Sequence, residues 1–384
     1  MLIVDAHQDL AYNILTFGRD YSLSALATRA RELGSETPLR NGDTLLGWPE
    51  YQRGRVGVIF ATLFASPARR ALGDWDTQAY KTAEQAHELY RGQVDTYYRL
   101  VDRHPGCFRL IYSRKDLQEV IFPWRLEDSL QAEALPSLEE SHLNEEQQPE
   151  QPSLPVGLVL LMEGAEGVRH PGELVEWWQL GVRIIGPAWA GTRYCGGTRE
   201  PGPMTNDGFE LLEAMAEIGF ALDVSHMDEQ AVLQALEVYP GTMIASHANA
   251  AALLKGVDTN RHLSERVIAG LLERDAVIGT VIHNRFLKPG WRMADGREQV
   301  TLQDVVAQID YICQRAGDSL HAGIGTDFDG GYGWQAVPGE IDTIADLPKL
   351  APLLAEKGYQ EDDIAAIFGS NWLDKLEKIL PEDV

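Results

Sequence analysis

Near its start the chain reads Ile3-Val4-Asp5-Ala6-His7-Gln8-Asp9, an apolar run leading straight into a His-x-Asp. Successive strand residues point to opposite faces, so His7 and Asp9, two apart, share one. The apolar run reads as a buried strand, and the C-terminal end of such a strand is where an α/β barrel carries its chemistry. The pair therefore reads as the first half of a metal site whose other half lies far downstream. Taken alone, it is weak evidence, and a surface histidine beside a helix-capping aspartate is the commoner case.

Working outward, the same pattern recurs. Val56–Phe64 is a second buried strand, and apolar residues at helical spacing predict a helix over Asp76–Arg103. Phe108–Tyr112 is a short strand, and Ser113 is placed to cap a helix beginning near Lys115. The polar stretch from Asn13 to Glu50 is irregular, with two short helical segments. The second half alternates regularly. Val156–Met162 runs into Glu163, Val182–Pro187 ends near Trp189, and Phe220–Val224 meets Ser225-His226. Thr242–Ala245 meets Ser246-His247, Val277–Ile282 meets His283-Asn284, and Ala322–Gly325 meets Thr326-Asp327-Phe328-Asp329-Gly330. Helical stretches at Glu173–Gln179, Asp207–Ile218, Asp228–Val238, Ser264–Glu273 and Gln303–Ala316 lie between, and Glu361–Leu380 closes the chain. Strands alternating with helices of this length make βαβ units and a parallel sheet. The strands number nine, and an eight-stranded barrel follows if Phe108–Tyr112, which ends in no chemically useful residue, is peripheral. The expected fold is α/β: one distorted (β/α)8 TIM barrel over residues 1–384, with a peripheral extra strand.

Composition narrows the function. The 384 residues are 44% hydrophobic, ample for a large core, and the net charge of −25 argues against nucleic-acid and anionic-membrane partners. Residues 126–155 hold eight acidic residues and no Lys or Arg, a composition that cannot bury enough apolar surface to order itself. They read as an exposed acidic insertion loop; without it the charge is still −17. Cys107, Cys195 and Cys313 are odd in number and widely spaced, which suggests neither a disulfide framework nor a thiolate zinc site. No secretory leader and no apolar run of membrane-spanning length is read, so the expected location is the cytoplasm.

In a closed parallel barrel all strand ends converge on one mouth. His7, Asp9, Glu163, His226, His247 and Asp327 would meet there, and three histidines with three carboxylates fit two divalent metals. Zinc is the default, with manganese, cobalt and iron open. His283 has no matching partner and reads as structural, as do His87, His104, His142, His170, His262 and His321 on helices, loops and strand starts. The adjacent pairs Ser225-His226 and Ser246-His247 are poorly placed as nucleophile–base dyads, since neighbouring strand residues face opposite sides. Gly323-Ile324-Gly325 lacks the third glycine and the following helix start of a dinucleotide-binding turn.

Asp5-Ala6-His7-Gln8-Asp9-Leu10, Met162-Glu163-Gly164, Asp223-Val224-Ser225-His226, Ser246-His247-Ala248-Asn249 and Gly325-Thr326-Asp327-Phe328-Asp329-Gly330, in that order, resemble the membrane (renal-type) dipeptidases, zinc peptidases of the amidohydrolase superfamily. Gly369-Ser370-Asn371-Trp372 is similar to the family's closing Gly-x-Asn. The resemblance implies that His7 and Asp9 hold one metal, His226 and His247 the other, and Glu163 bridges them. It makes Asp327 the catalytic acid/base and Arg261, in Asn260-Arg261-His262-Leu263, the grip on the substrate's C-terminal carboxylate. Two cations so held could activate water near neutral pH and polarise the scissile carbonyl. Asp327 then passes a proton to the leaving amine, and a bidentate arginine limits substrate length.

One position departs. Where the family has a strand ending in Thr-His, with the histidine near the substrate carbonyl, this chain has Ile184-Ile185-Gly186-Pro187-Ala188-Trp189. Trp189 supplies only an indole N–H and bulk. The leading expectation is a binuclear dipeptidase for dipeptides with a free C-terminal carboxylate. A different small amide or ester, an N-acyl amino acid or lactone, is the alternative that Trp189 motivates, and a non-catalytic binding relative is a third. Absence of a leader and lipid-anchor tail aligns the chain with the family's bacterial intracellular branch, and the family suggests a homodimer.

Overall fold

The computed structural model describes residues 1–133, 154–257 and 259–383. Nine parallel strands form its sheet: β1 Ile3–Gln8, β2 Val56–Phe64, β3 Phe108–Leu110, β4 Val156–Glu163, β5 Val182–Gly186, β6 Ala221–Asp223, β7 Met243–Ile244, β8 Ile278–Thr280 and β9 Ala322–Ile324. Eight of them pair in the order β7-β6-β5-β4-β2-β1-β9-β8, and β3 pairs only with β4, outside this path. A parallel bridge between Ala245 and Ile278 joins the two free edges, with Ala245 N–H donating to Val277 O at 3.0 Å and Gly279 N–H to Ala245 O at 2.8 Å. The ring closes into the expected barrel, and the extra strand is peripheral as expected.

The longest strands show why. β4 is buried along its whole length and β2 along all but its last residue. Only a parallel strand covered on both faces takes such continuous apolar sequence. Glycines admit the backbone where the ring closes. A Cβ on Gly279 or on Gly325 would stand 1.9 Å from the carbonyl oxygen of Ser246. That settles the Gly-Ile-Gly of β9 as a packing feature: Gly323 likewise leaves room for the Trp372 indole, whose N–H donates to Ile324 O at 3.0 Å.

Several boundaries differ from the sequence reading. The helix expected from Asp76 is Ala83–Arg103, because Thr82 caps it by accepting the Gln85 N–H. The irregular stretch up to Glu50 holds four short helices, Leu10–Phe17, Ala25–Glu32, Thr37–Asn41 and Trp48–Arg53, rather than two. The helix capped by Ser113 begins at Arg114 and continues to Glu133, so residues 126–133 of the acidic stretch are helical. The rest of that stretch, 134–153, lies outside the described residues, as does His142.

The closing Gly-x-Asn is structural. Residues Ala366–Ser370 form a π turn between the helices Glu361–Ala365 and Asn371–Ile379. A Cβ on Gly369 would stand 2.6 Å from Leu2 O. Asn371, buried, donates its amide to Ser319 O at 2.7 Å and Ala322 O at 2.8 Å, fixing the entry to β9. Asn371→Ala leaves both carbonyls unpaired and is expected to cost about 2–4 kcal/mol, read as a lowered urea midpoint at unchanged slope.

Candidate active site

The strand ends bring the expected residues together. His7 lies in β1 with Asp9 just beyond it, and Glu163 ends β4. His226, His247 and Asp327 follow β6, β7 and β9. Three overlapping trios, His7/Asp9/Glu163, Glu163/His226/His247 and His7/His247/Asp327, each hold one donor atom per residue within 4.8 Å of the others. Glu163 faces two ways: one carboxylate oxygen lies 3.6 Å from His7 Nε2, the other 3.1 Å from His226 Nε2 and 3.4 Å from His247 Nε2. Asp9 and Asp327 approach His7 Nε2 at 3.7 and 3.9 Å.

The backbone is bent to make this possible. His226, Asp327 and Asp329 adopt left-handed φ of 67°, 60° and 64°, which non-glycine residues hold only where surrounding structure enforces it. Buried Asp329 is the anchor beneath Asp327. It accepts from Arg19, Tyr21 and the Thr44 hydroxyl and from the Leu45 N–H. A Cβ on Gly330 would stand 1.9 Å from Asp327 Oδ1, so glycine here leaves that carboxylate its place.

Proton counting fixes the histidine tautomers. The Ser246 hydroxyl donates to Asp223 at 2.5 Å, so at 2.8 Å His247 Nδ1 is the donor to Ser246 Oγ, leaving Nε2 a lone pair toward the site. Ser246-His247 thus does form a hydrogen-bonded pair, contrary to the alternation argument. The chain leaves the extended strand after residue 245, and the serine's proton is committed to Asp223, so it orients the histidine and is no nucleophile. Thr198 Oγ1 stands 2.9 Å from His226 Nδ1 and holds that ring the same way. Asp5, two residues before His7, makes no bond to that ring; it accepts from Thr326 N–H, Thr326 Oγ1 and Gln8 and so ties the end of β1 to the segment before Asp327. The Nε2 atoms of His226 and His247 face each other at 3.0 Å. Both rings are held neutral: burial and then the Arg261 charge bring His226 down to about 4, and burial, His7 and Arg261 bring His247 well below the usual range.

Burial also works against charge on His7, but Glu163 and Asp9 outweigh it and raise its pKa well above normal. Glu163 is pushed up by burial, yet the facing histidines, His7 first, hold it well below the carboxylate range. Asp327 is raised well above its usual value, chiefly by burial, with Asp9 and Glu163 adding to it. Both ring nitrogens of His7 and Asp9 Oδ1 are buried without hydrogen-bond partners. Facing lone pairs, orphaned donor atoms and a carboxylate shared between two nitrogen sets fit divalent cations with N/O ligands.

The donors open into a cavity of about 290 Å³, at the small end for ligand sites. Arg261 lines it. The residue is 4% exposed, its Nη2 donates to His247 O at 2.7 Å, and Nε and Nη1 have no partner. Trp189 also lines it, packed edge-on against Phe64 at 5.1 Å and 6.2 Å from the His226 ring. His283 is structural, as read: its Nδ1 accepts the Arg285 N–H and starts a short helix. Its ring also borders the cavity, 4.2 Å from that of Tyr332, which the sequence reading did not foresee. His262 packs on Phe286 and belongs to none of the donor trios. Tyr12, Tyr332, Thr198 and the carboxylates of Asp5 and Asp223 were missed. The aspartates are the residues three before His226 and two before His7, the one local signal that could have found them.

The model of the membrane dipeptidase family, peptidase family M19, matches residues 143–380. The chain belongs to this family. It is therefore a metal-dependent peptidase of the membrane dipeptidase type. A Klebsiella pneumoniae protein, uncharacterized and encoded in the pqqA 5′ region, is 30% identical over 58% of this chain and 82% of its own. An uncharacterized dipeptidase of Schizosaccharomyces pombe is 29% identical over 55% of this chain, which spans about half (51%) of that protein's length. A metallopeptidase from Rhodobacter sphaeroides, crystallised with a phosphinate mimic of the dipeptide L-Ala-D-Ala, superposes over 99% of both chains with a TM-score of 0.71. At 21% identity that likeness speaks for the barrel fold alone.

Proposed function

We propose that this dipeptidase-family enzyme hydrolyses dipeptides, or small amides like them, that carry a free C-terminal carboxylate. His7 and Asp9 would hold one divalent ion, His226 and His247 a second, and Glu163 both, with zinc the expected metal. When bound, these ions supply Lewis acidity and activation of water near neutral pH. The chain's own residues do the rest. Arg261 offers two unpartnered guanidinium nitrogens to a carboxylate, which fixes one end of the substrate and sets its length. Asp327, at the cavity wall beside His7, takes a proton from the attacking water and delivers it to the leaving amine. Trp189 and Phe64 exclude water from one side. The observation that carries this reading is the split of Glu163's two oxygens between His7 and the His226/His247 pair.

Trp189 favours a second reading, an N-acyl amino acid or lactone whose acyl group lies on the indole. A panel of L,L and L,D dipeptides beside N-acyl amino acids and lactones, assayed with metal-loaded enzyme, decides between them by kcat/KM. Dipeptide turnover that a chelator abolishes and added metal restores is the expected result. No turnover of any dipeptide would defeat the reading. No described helix is long and apolar enough to cross a membrane, and we place the enzyme in the cytoplasm, as a homodimer.

A further inference from the structure

Taking the dipeptidase reading as its basis, we infer that the preferred substrates are dipeptides with an acidic side chain on the C-terminal residue and an apolar or aromatic one on the N-terminal residue. The cavity has two unlike walls. One is aromatic: Trp189 packs on Phe64 at 5.1 Å, Phe64 on Tyr12 at 5.6 Å, and Trp75 completes the wall beside exposed Leu72. The other is cationic. Arg199 and Arg285 line the cavity together with Arg261, and a fourth arginine there, Arg70, is paired with Glu200 at 2.8 Å.

Arg199 and Arg285 both belong to segments tied to the surroundings of Arg261. The Arg199 N–H donates to Asn260 Oδ1 at 2.9 Å, and Asn260 precedes Arg261. Arg199 itself turns with a left-handed φ of 64°, directly after the Thr198 that steadies His226. Arg285 precedes Phe286, whose ring lies 5.6 Å below the Arg261 guanidinium. Among the described residues neither Arg199 nor Arg285 has a carboxylate partner, although the chain carries 58 acidic residues against 33 basic. Acidic groups on the cavity wall are otherwise committed. Asp9, Glu163 and Asp327 belong to the metal and proton chemistry, and Asp76 accepts from Tyr12 at 3.0 Å and Ser66 at 2.9 Å. With two divalent ions in place, a strongly acidic protein would present an electropositive mouth, which focuses anions toward it. Once Arg261 holds the α-carboxylate, the side chain of that same residue is the part of the substrate nearest Arg199 and Arg285. The side chain of the N-terminal residue faces Trp189 and Phe64.

Kinetics of the metal-loaded full chain on Leu-Asp, its uncharged isostere Leu-Asn, Leu-Lys and Leu-Ala, in both L,L and L,D series, test this. Leu-Asp should exceed Leu-Asn in kcat/KM by about tenfold, mostly through KM, with Leu-Lys lowest and the advantage shrinking as salt rises. Arg199→Gln with Arg285→Gln should bring the Leu-Asp to Leu-Asn ratio close to one. Arg285→Glu, a second and single change at an exposed position, should raise Leu-Lys relative to Leu-Asp. Turnover of Leu-Ala with no preference for Leu-Asp over Leu-Asn, or a preference that survives both variants, overturns this inference and leaves the dipeptidase reading intact. No turnover of any of the four defeats both.

Discussion

Asp327→Asn is expected to lower kcat on the best dipeptide by roughly a thousandfold, the middle of the range for losing a positioned general acid–base group. KM should change little, and the metal content should not change at all. The side chain keeps its shape, so it still fits over Gly330, where a Cβ would crowd it. What goes is the ability to take and return a proton. Burial raises the Asp327 carboxyl, so it has the affinity to accept a proton, and the carboxylates of Asp9 and Glu163 add to that affinity. The measurement must include metal analysis, because Asp327 also stands among the donors as the third member of the His7/His247 trio. Loss of an ion together with activity would make Asp327 a ligand and not the proton carrier.

Replacing Glu163 has a different signature. Glu163→Gln keeps the volume but removes one acceptor oxygen and the charge that faces His7, His226 and His247. With both oxygens in use, either amide orientation spoils one side of the site. We expect at most one ion retained per chain and a fall in activity of about a thousandfold or more, corresponding to about 4 kcal/mol of lost transition-state stabilisation. Elemental analysis after desalting, set beside the assay, reads both effects. Full metal occupancy in Glu163→Gln would remove this residue from the shared position.

How far these residues could be read from sequence depends on where they sit. Each of the eight barrel strands is buried on both faces, so its apolar run is continuous, and its end is marked by the first polar residue with useful chemistry. That rule alone located His7, Glu163, His226, His247 and Asp327. It also separated β3 from the barrel, because Phe108–Leu110 leads to no such residue. Periodicity fails once the chain leaves the strand. The rule of alternating faces misjudged Ser246 and His247, whose side chains meet at 2.8 Å beyond the end of β7. It carried no information about Arg285, on the short helix after His283, or about Thr198 and Arg199, which reach the cavity from a turn whose course is set by long-range contacts such as Asn260 to Gly197 O. Asp5 and Asp223 were within the quoted motifs but read as strand residues. Their partners, Thr326 and Ser246, come from distant strands, and only the closed barrel puts them within hydrogen-bond reach.

On the proposed reading, Glu163 would be shared between two metal ions, one held by His7 and Asp9 and the other by His226 and His247. Anomalous diffraction at the absorption edge of the loaded metal tests it most directly. Two peaks should appear on opposite sides of the Glu163 carboxylate, each next to its own histidine set. A single peak, or a pair that bypasses Glu163, would contradict the account.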